Sequence, residues 1–190
     1  DWSIFLTSSS DYYKSNLNTK KHKKTFISLL RFYYLCHQME IGKSLFNFEL
    51  KGTDGKIYDK FTFADRTALV LIVTCNHCPY ARAYWHRLIK LYDQFEEDNL
   101  MILAVNSNDA EQYPADSYEN MKKMSLELKL PFPYLFDEEQ RVATKLGATR
   151  TPEAFVFNSK RKLVYKGAID DNWESEHMVM QVYLEDAIED

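Results

Sequence analysis

Two cysteines separated by two residues are the part of this sequence best suited to chemistry. They lie in the segment Cys75-Asn76-His77-Cys78. Two thiols at this spacing come close enough to form a disulfide, so the pair could exchange electrons with other thiols and disulfides. The pair could also supply two ligands of a metal site, or be two buried small side chains. The residues around the motif favour the first of these interpretations.

The motif lies between a predicted strand and a predicted helix. Ala68 to Val73 is a continuous apolar run with β-branched residues, which is typical of a strand covered on both faces. From Ala81 to Phe95 apolar residues recur at helical spacing, which predicts a helix to about Asp98. Cys75 would then stand at a helix N-terminus, where unpaired N–H groups favour negative charge. We therefore expect a stabilised Cys75 thiolate that attacks disulfides and a more buried Cys78 that resolves the mixed disulfide.

His77, between the two cysteines, is expected to set how strongly the pair oxidises. Its imidazole can place a hydrogen bond or a positive charge beside the Cys75 thiolate. Stabilising that thiolate favours the reduced pair, so the disulfide becomes a stronger oxidant. We predict a more oxidising couple than one with Gly-Pro between its cysteines.

Zinc binding is the main rival to redox chemistry for a Cys-x-x-Cys pair. A closed structural zinc site needs four ligands. The third cysteine, Cys36, lies in the N-terminal segment, and the sequence has no second Cys-x-x-Cys and no His-x-x-x-His. We therefore predict no bound metal. No organic cofactor is expected either, because the sulfurs themselves carry the electrons.

The rest of the chain predicts an α/β fold with one central mixed sheet flanked by helices. Phe46 to Leu50 and Lys56 to Tyr58, joined by a Gly-containing turn, predict an N-terminal β-hairpin. Asp116, with Glu119 three residues later, resembles a capping box that would open a helix. Glu174 to Ile188 predicts a closing amphipathic helix. Further strands are predicted at 100–105, 134–136, 154–157 and 163–165, and a short helix at 138–146.

Composition and charge limit the class of partner. The 190 residues are 45% apolar, which is enough for one sizeable core. Residues 1–40 hold six basic and three acidic residues, which leaves 18 basic and 25 acidic residues in 41–190. Nucleic-acid binding needs a clustered basic surface. The acidic balance of 41–190 therefore predicts no nucleic-acid partner.

Residues 1–40 are predicted to be a leader or a poorly ordered extension, and residues 41–190 the folded domain. Ser8 to Lys24 is rich in Ser, Asn and Lys and has few core-forming residues. Thr25 to Cys36 follows a basic run as in a secretion signal, but Arg31 interrupts it and no small-residue cleavage site follows. No stretch reaches the roughly 20 apolar residues of a membrane span. We expect a cytoplasmic protein, or an exported one if residues 1–38 act as a signal.

Four short motifs, more specific than the cysteine spacing alone, carry a resemblance to a known family. They are Thr74 to Tyr80, Asn106 to Asp109, Gly147 to Glu153 and Ile169 to Trp173. Together they resemble the thioredoxin superfamily, and within it the redoxin branch of alkyl hydroperoxide reductase/thiol-specific antioxidant relatives. The resemblance runs from about Ile41 to Ile188. It implies a thioredoxin-like fold, a thiol-disulfide oxidoreductase and an antioxidant activity.

The same resemblance implies two further site residues. In that superfamily a cis proline faces the dithiol, and Pro152 in Thr151-Pro152 matches it. The proline would expose the backbone of Thr151 to an extended substrate and keep metal-binding residues away from the sulfurs. A trans proline that merely begins an edge strand is the alternative. The implied site residues are Cys75, Cys78, His77, Pro152 and Thr151.

Two departures from related families narrow the chemistry. Peroxiredoxins carry Thr or Ser three residues before the peroxidatic cysteine and Pro seven before it, whereas Ile72 and Ala68 stand at those distances from Cys75. The positions counted from Cys78 also lack them. Thioredoxins place a buried Asp six residues before the first cysteine, and here that position is Leu69. Fast peroxide reduction is therefore not expected, and the proton acceptor must lie elsewhere or be water.

The predicted function is thiol-disulfide exchange with protein or small-molecule thiols and disulfides. Two alternatives remain open. One is copper binding or metal delivery on the same fold, because soft thiolates suit Cu(I). The other is a weak peroxiredoxin-like peroxidase.

Overall fold

The two longest apolar runs form neighbouring parallel strands at the centre of the molecule. The structure is a computed structural model that describes residues 38–190. Strands β3 (Ala68–Thr74) and β4 (Leu100–Asn106) pair along their whole length, with Thr74 opposite Asn106. Every residue of both strands except Ala68 is buried. The predicted leader or extension lies, for residues 1–37, outside the described residues.

A seven-stranded mixed sheet in the order β2-β1-β5-β4-β3-β6-β7 surrounds this central pair. The hairpin of β1 (Glu49–Gly52) and β2 (Ile57–Asp59) forms one edge and adds antiparallel to β5 (Tyr134–Phe136). β5 runs parallel to β4. The hairpin of β6 (Glu153–Phe157) and β7 (Leu163–Gly167) forms the other edge, with β6 antiparallel to β3. The predicted mixed sheet with an N-terminal hairpin is confirmed.

Four α-helices accompany the sheet in the described part of the chain. The longest, α1 (Pro79–Phe95), begins with proline, whose missing N–H costs nothing at the first helical position. The short helix α3 (Arg141–Leu146) ends at Gly147, which adopts the left-handed conformation with φ 74°. The other two are α2 (Tyr118–Leu128) and α4 (Tyr183–Glu189). The face of α1 that packs on the core consists of Ala81, Tyr84, Trp85, Leu88, Leu91, Tyr92 and Phe95.

The predicted capping box at Asp116 is wrong, and the error bears on function. Ser117 is the N-cap of α2, and its hydroxyl accepts a hydrogen bond from the N–H of Asn120. Asp116 instead ends a short 3₁₀ helix, Pro114–Asp116, and is fully buried. Its carboxylate does not cap α2. It accepts hydrogen bonds from N–H groups of Asn76, Asn106 and Asn108, which require an acceptor because they are buried.

The predicted closing helix is shorter than its sequence pattern. A 3₁₀ turn covers Glu176–Met178, and α4 begins only at Tyr183. Between them the backbone pairs with Asp171, whose N–H donates to the Gln181 carbonyl at 3.2 Å. The Asp171 carboxylate accepts from the N–H of Met180 at 2.9 Å. Side-chain and backbone bonds of this kind compete with helix formation.

The core is continuous across the described sheet. Its largest fully buried side chains include Tyr134, Phe155 and Phe157 together with Leu and Ile residues of β3 and β4. None of the described helices combines the length and the apolar character needed to cross a membrane.

Candidate active site

Three strands bring the candidate site segments to one end of the sheet, where β3 and β4 stop and β6 begins. Cys75 follows the last residue of β3, and Asn106 ends the parallel strand β4 beside it. β6 runs antiparallel, with its first residue Glu153 opposite Val73. The preceding pair, Thr151-Pro152, therefore lies at the same end of the sheet. Segments far apart in sequence meet here because of strand direction and register.

The two cysteines of the motif both contact Thr151. The Cys75 Sγ lies 3.5 Å from the Thr151 hydroxyl oxygen. The Cys78 thiol donates to the Thr151 carbonyl oxygen at 3.8 Å. Both cysteines are free thiols, and the Thr151–Pro152 peptide bond is cis. The structure thus brings together Cys75, Cys78, Thr151 and Pro152, four of the residues that the sequence predicted.

The burial of the two sulfurs is the reverse of what the sequence predicted. Cys75 is 0% exposed, whereas Cys78 is only partly buried. β3 runs directly into Cys75, so that side chain stays at the margin of the core. The helix begins later than expected, at Pro79, and Cys78 is its N-cap residue. The prediction of a more buried Cys78 is therefore wrong.

Burial also controls the acidity of Cys75. Loss of water around the sulfur raises the pKa of the Cys75 thiol to about 11. The hydrogen bond with Thr151 lowers this pKa in part, and the nearby charge of Asp116 raises it again. Because Cys75 stands three residues before the helix N-cap and is buried, its thiolate is not stabilised. The sequence-based prediction of a stabilised Cys75 thiolate is therefore wrong.

His77 is held in place between a carboxylate and an aromatic ring. Its Nδ1 hydrogen-bonds to Oδ2 of Asp116. Its ring stacks on Tyr113 with centroids 4.4 Å apart and planes 2° from parallel. The His77 side chain is 36% exposed, whereas that of Asp116 is 0% exposed. Such a partner fixes the orientation of an imidazole and defines which nitrogen carries the proton.

Asp116 is a candidate site residue that sequence reasoning missed. Its Oδ1 accepts from the backbone N–H of Asn76 at 2.6 Å and from Nδ2 of Asn106 at 3.1 Å. Its Oδ2 accepts from Nδ2 of Asn108 at 3.1 Å and from His77. Four donors thus surround one buried carboxylate. The only signal in the sequence was the Asn-Ser-Asn-Asp motif, whose Asn106 and Asn108 now have a role as donors to Asp116.

A second set of hydrogen bonds fixes Asn76 inside the motif. The hydroxyl of Tyr134 donates to Oδ1 of Asn76 at 2.8 Å, and Nδ2 of Asn76 donates to the Ala115 carbonyl at 2.7 Å. Burial raises the pKa of Tyr134 well above its ordinary value, so its hydroxyl stays a neutral donor. A buried polar network with satisfied members of this kind specifies one arrangement. The cysteine loop is therefore rigidly positioned.

An exposed aromatic pair borders the site. Tyr80, two residues after Cys78, meets Trp173 edge-on with ring centroids 4.5 Å apart. Tyr80 is 48% exposed and Trp173 38% exposed. Trp173 therefore lies at the protein surface beside Tyr80 and does not fill the core. Arg87 holds the Trp173 segment by donating to its carbonyl oxygen and to that of Asn172.

Comparison with known proteins decides the family. The profile of the AhpC/TSA family matches residues 41–166, which is more than half of the chain. This chain belongs to the AhpC/TSA family. An uncharacterized conserved protein from Geobacillus kaustophilus has a similar crystal structure, with 39% identity and a TM-score of 0.70 over 74% of this chain and 75% of that chain.

Two further structures have a similar fold. A hypothetical protein from Sinorhizobium meliloti 1021 shares 31% identity and a TM-score of 0.68, over 71% of this chain and 74% of its own. The thioredoxin domain of a thiol-disulfide oxidoreductase from Bacteroides vulgatus is only 16% identical, with a TM-score of 0.58 over 68% of this chain and 89% of that chain. It confirms the predicted thioredoxin-like fold. No curated protein sequence gave a significant match.

This member of the AhpC/TSA family does not present a closed metal site among its described residues. Cys75, His77 and Asp116 offer ligand atoms within 4.8 Å of one another, but they are three, and a structural zinc site takes four. The two oxygens of Asp116 already accept four hydrogen bonds. This donor set therefore fits proton chemistry better than metal binding.

Proposed function

We propose that this AhpC/TSA protein is a thiol-disulfide oxidoreductase that exchanges electrons through Cys75 and Cys78. The observation that carries the proposal is the meeting of two free thiols at Thr151, at the junction of a central strand and a helix. The pair would cycle between dithiol and disulfide, passing two electrons to or from a substrate. No organic cofactor is needed for that reaction.

The surroundings of the dithiol support a substrate that carries a disulfide on an extended segment. The Thr151 carbonyl, which accepts the Cys78 thiol, is a hydrogen-bond acceptor for a substrate N–H once that thiol loses its proton. Pro152 fixes the backbone that presents this carbonyl. The exposed rings of Tyr80 and Trp173 offer apolar area next to Cys78.

His77 and Asp116 support the proposal by supplying a proton acceptor near the dithiol. Leu69 stands where thioredoxins carry their buried Asp, and it contributes no such group. Here a buried carboxylate reaches the site from another direction, from the segment after β4. A ring nitrogen of His77 and the Cys75 Sγ lie within 4.8 Å of each other. At this separation His77 can take up a proton released from the dithiol through one intervening water molecule.

The proposal does not extend to fast peroxide reduction. Ile72 is fully buried in β3, and Ala68 begins the same strand. Neither side chain offers a hydrogen-bond donor to a peroxide.

The test compares insulin-disulfide reduction and oxidation of reduced ribonuclease by the wild type, Cys75→Ser and Cys78→Ser. Cys36→Ser is the matched control, because it removes the one cysteine outside the motif. We expect the two motif variants to lose both activities and the control to keep both. Metal analysis of the same preparations addresses the copper alternative. Stoichiometric copper with no turnover would favour metal delivery and count against the proposal.

A further inference from the structure

The two sulfurs of the motif differ in what can reach them. An attacking thiolate must approach a substrate disulfide along its S–S axis, so it needs open space in front of it. Cys75 is 0% exposed and its Sγ contacts the Thr151 hydroxyl at 3.5 Å, whereas Cys78 is partly exposed. We propose that Cys78 is the sulfur that attacks the substrate and that Cys75 resolves the mixed disulfide. This inference rests on the proposed function and reverses the order expected from the sequence.

The position of Cys78 suits attack. It is the N-cap of the 17-residue helix α1, and the first N–H groups of a helix have no partners within it. Negative charge is favoured at such a terminus. The Cys78 thiol also donates to the Thr151 carbonyl, so the attacking sulfur and the backbone that would pair with an extended substrate are already adjacent. The substrate disulfide would thus be bound beside the sulfur that reacts with it.

The position of Cys75 suits resolution. A thiol whose pKa is raised by burial from 9.0 to about 11 is almost entirely protonated at neutral pH. Such a shift lowers the thiolate fraction about 100-fold, while the greater nucleophilicity of that thiolate recovers roughly tenfold. Cys75 would therefore react about tenfold more slowly than an unshifted thiol, before any effect of access. In the resolving step it needs to reach only Cys78, which is in the same turn of chain.

The exchange proceeds in two steps. The Cys78 thiolate, having lost its proton to solvent, attacks one substrate sulfur, and the substrate S–S bond breaks and releases a thiolate that takes a proton from water. The Cys75 thiol then passes its proton through a water molecule to His77 and attacks the Cys78 Sγ. The Cys75–Cys78 disulfide forms, and the second substrate sulfur leaves and takes up a proton. The dithiol loses two electrons and the substrate disulfide gains them.

Trapping of the mixed disulfide tests this order. Both variants are made in the Cys36→Ser background, so that each protein has a single motif cysteine, and each is mixed with a disulfide-containing peptide and analysed by mass spectrometry. We expect Cys75→Ser to accumulate a mixed disulfide on Cys78, and Cys78→Ser to form one on Cys75 at least about tenfold more slowly. Faster trapping on Cys75 would overturn the order while leaving the proposed function standing. If neither variant forms a mixed disulfide and wild type has no exchange activity, both proposals fail.

Alkylation of the reduced protein provides a second readout that does not depend on how the variants fold. Limiting iodoacetamide is added to the Cys36→Ser protein with both motif cysteines present, and the labelled peptide is identified. We expect the label on Cys78 at neutral pH. A label found first on Cys75 would contradict the assignment.

Discussion

At the scale of single residues, the acidity of Cys75 links the site to the stability of the fold. Burial raises the pKa of this thiol from 9.0 to about 11 in the folded protein. In the unfolded chain the thiol has its ordinary pKa and loses its proton first as the pH rises. Since the unfolded state then binds fewer protons than the folded state, stability falls as the pH rises through this window.

The first prediction concerns this fall of stability with rising pH. The free energy of unfolding of the reduced protein should fall by about 1 kcal/mol more between pH 7 and pH 10 than that of Cys75→Ala. Urea unfolding at both pH values under reducing conditions measures the difference. The tyrosines titrate alike in both proteins, so the comparison isolates Cys75. An identical pH dependence in the two proteins would show that burial does not hold the thiol protonated.

The second prediction concerns Asp116. The change Asp116→Asn removes the charge that accepts from His77 and from three N–H groups of the asparagines, so unfolding should become easier by about 1–3 kcal/mol. The pKa of Cys75 should also fall, because the charge of Asp116 raises it. Ultraviolet absorbance of the thiolate reports that pKa in a background that carries both Cys36→Ser and Cys78→Ser, so that Cys75 is the one thiol left.

Asp93→Asn is the matched control for Asp116→Asn, since Asp93 is exposed on α1. It should change neither stability nor the Cys75 titration. If Asp116→Asn left the Cys75 titration unchanged as well, the carboxylate would not act on the sulfur.

These residue properties show where sequence reasoning stops. Cys75, His77 and Cys78 could be proposed as reactive groups from their types and spacing. Their burial did not, because it depends on where β3 ends and where α1 begins, and a shift of three residues exchanged the exposures of the two sulfurs. Asp116 fitted a local capping pattern, and only the tertiary position of the donors around it shows why the carboxylate turns inward.

At the scale of elements, α1 both carries Cys78 at its N-terminus and anchors the segment after β7. Arg87 on this helix pairs with Asp170 at 2.6 Å, and the hydroxyl of Tyr84 donates to the same carboxylate at 2.6 Å. The side chains of Arg87 and Asp170 are 11% and 6% exposed. This buried pair fixes the stretch that places Trp173 against Tyr80.

The third prediction compares two ion pairs of the same helix. Arg87→Ala leaves a buried carboxylate without its cation, so unfolding should become easier by about 3 kcal/mol. Lys90→Ala removes an exposed pair with Glu176 and should cost less than about 1 kcal/mol. Urea denaturation gives both values, and limited proteolysis should show earlier cleavage between 173 and 182 only in Arg87→Ala. Equal costs for the two changes would mean that Asp170 does not depend on its cation.

The elements themselves were largely predictable. The buried strands and α1 followed from apolar runs and from helical spacing, because both are dominated by burial. The amphipathic pattern of 174–188 was misleading, because hydrogen bonds to Asp171 hold the backbone at Met180 and Gln181 outside a helix. A local pattern cannot reveal an acceptor that a neighbouring loop supplies.

At the scale of the whole molecule, the mixed sheet determines which distant segments share the site. β3 pairs parallel with β4 and antiparallel with β6. This pairing puts the cysteine loop, the Asn106–Asn108 segment and Thr151-Pro152 at one end of the sheet. The redoxin resemblance implied Thr151 and Pro152 at the site, and their contact with both sulfurs depends on this arrangement. The predictions that the protein binds no nucleic acid and that it is cytoplasmic stay predictions.

The most direct test of the account is the equilibrium of the protein with glutathione. Samples are equilibrated across a range of reduced and oxidised glutathione, alkylated, and analysed by mass spectrometry in the Cys36→Ser background. We predict one reversible transition that interconverts two free thiols and a Cys75–Cys78 disulfide. The same titration measures the potential, and a value above the roughly −270 mV of thioredoxin would support the sequence-based prediction of a more oxidising couple. If no disulfide between Cys75 and Cys78 forms at any ratio, the protein is not a dithiol oxidoreductase.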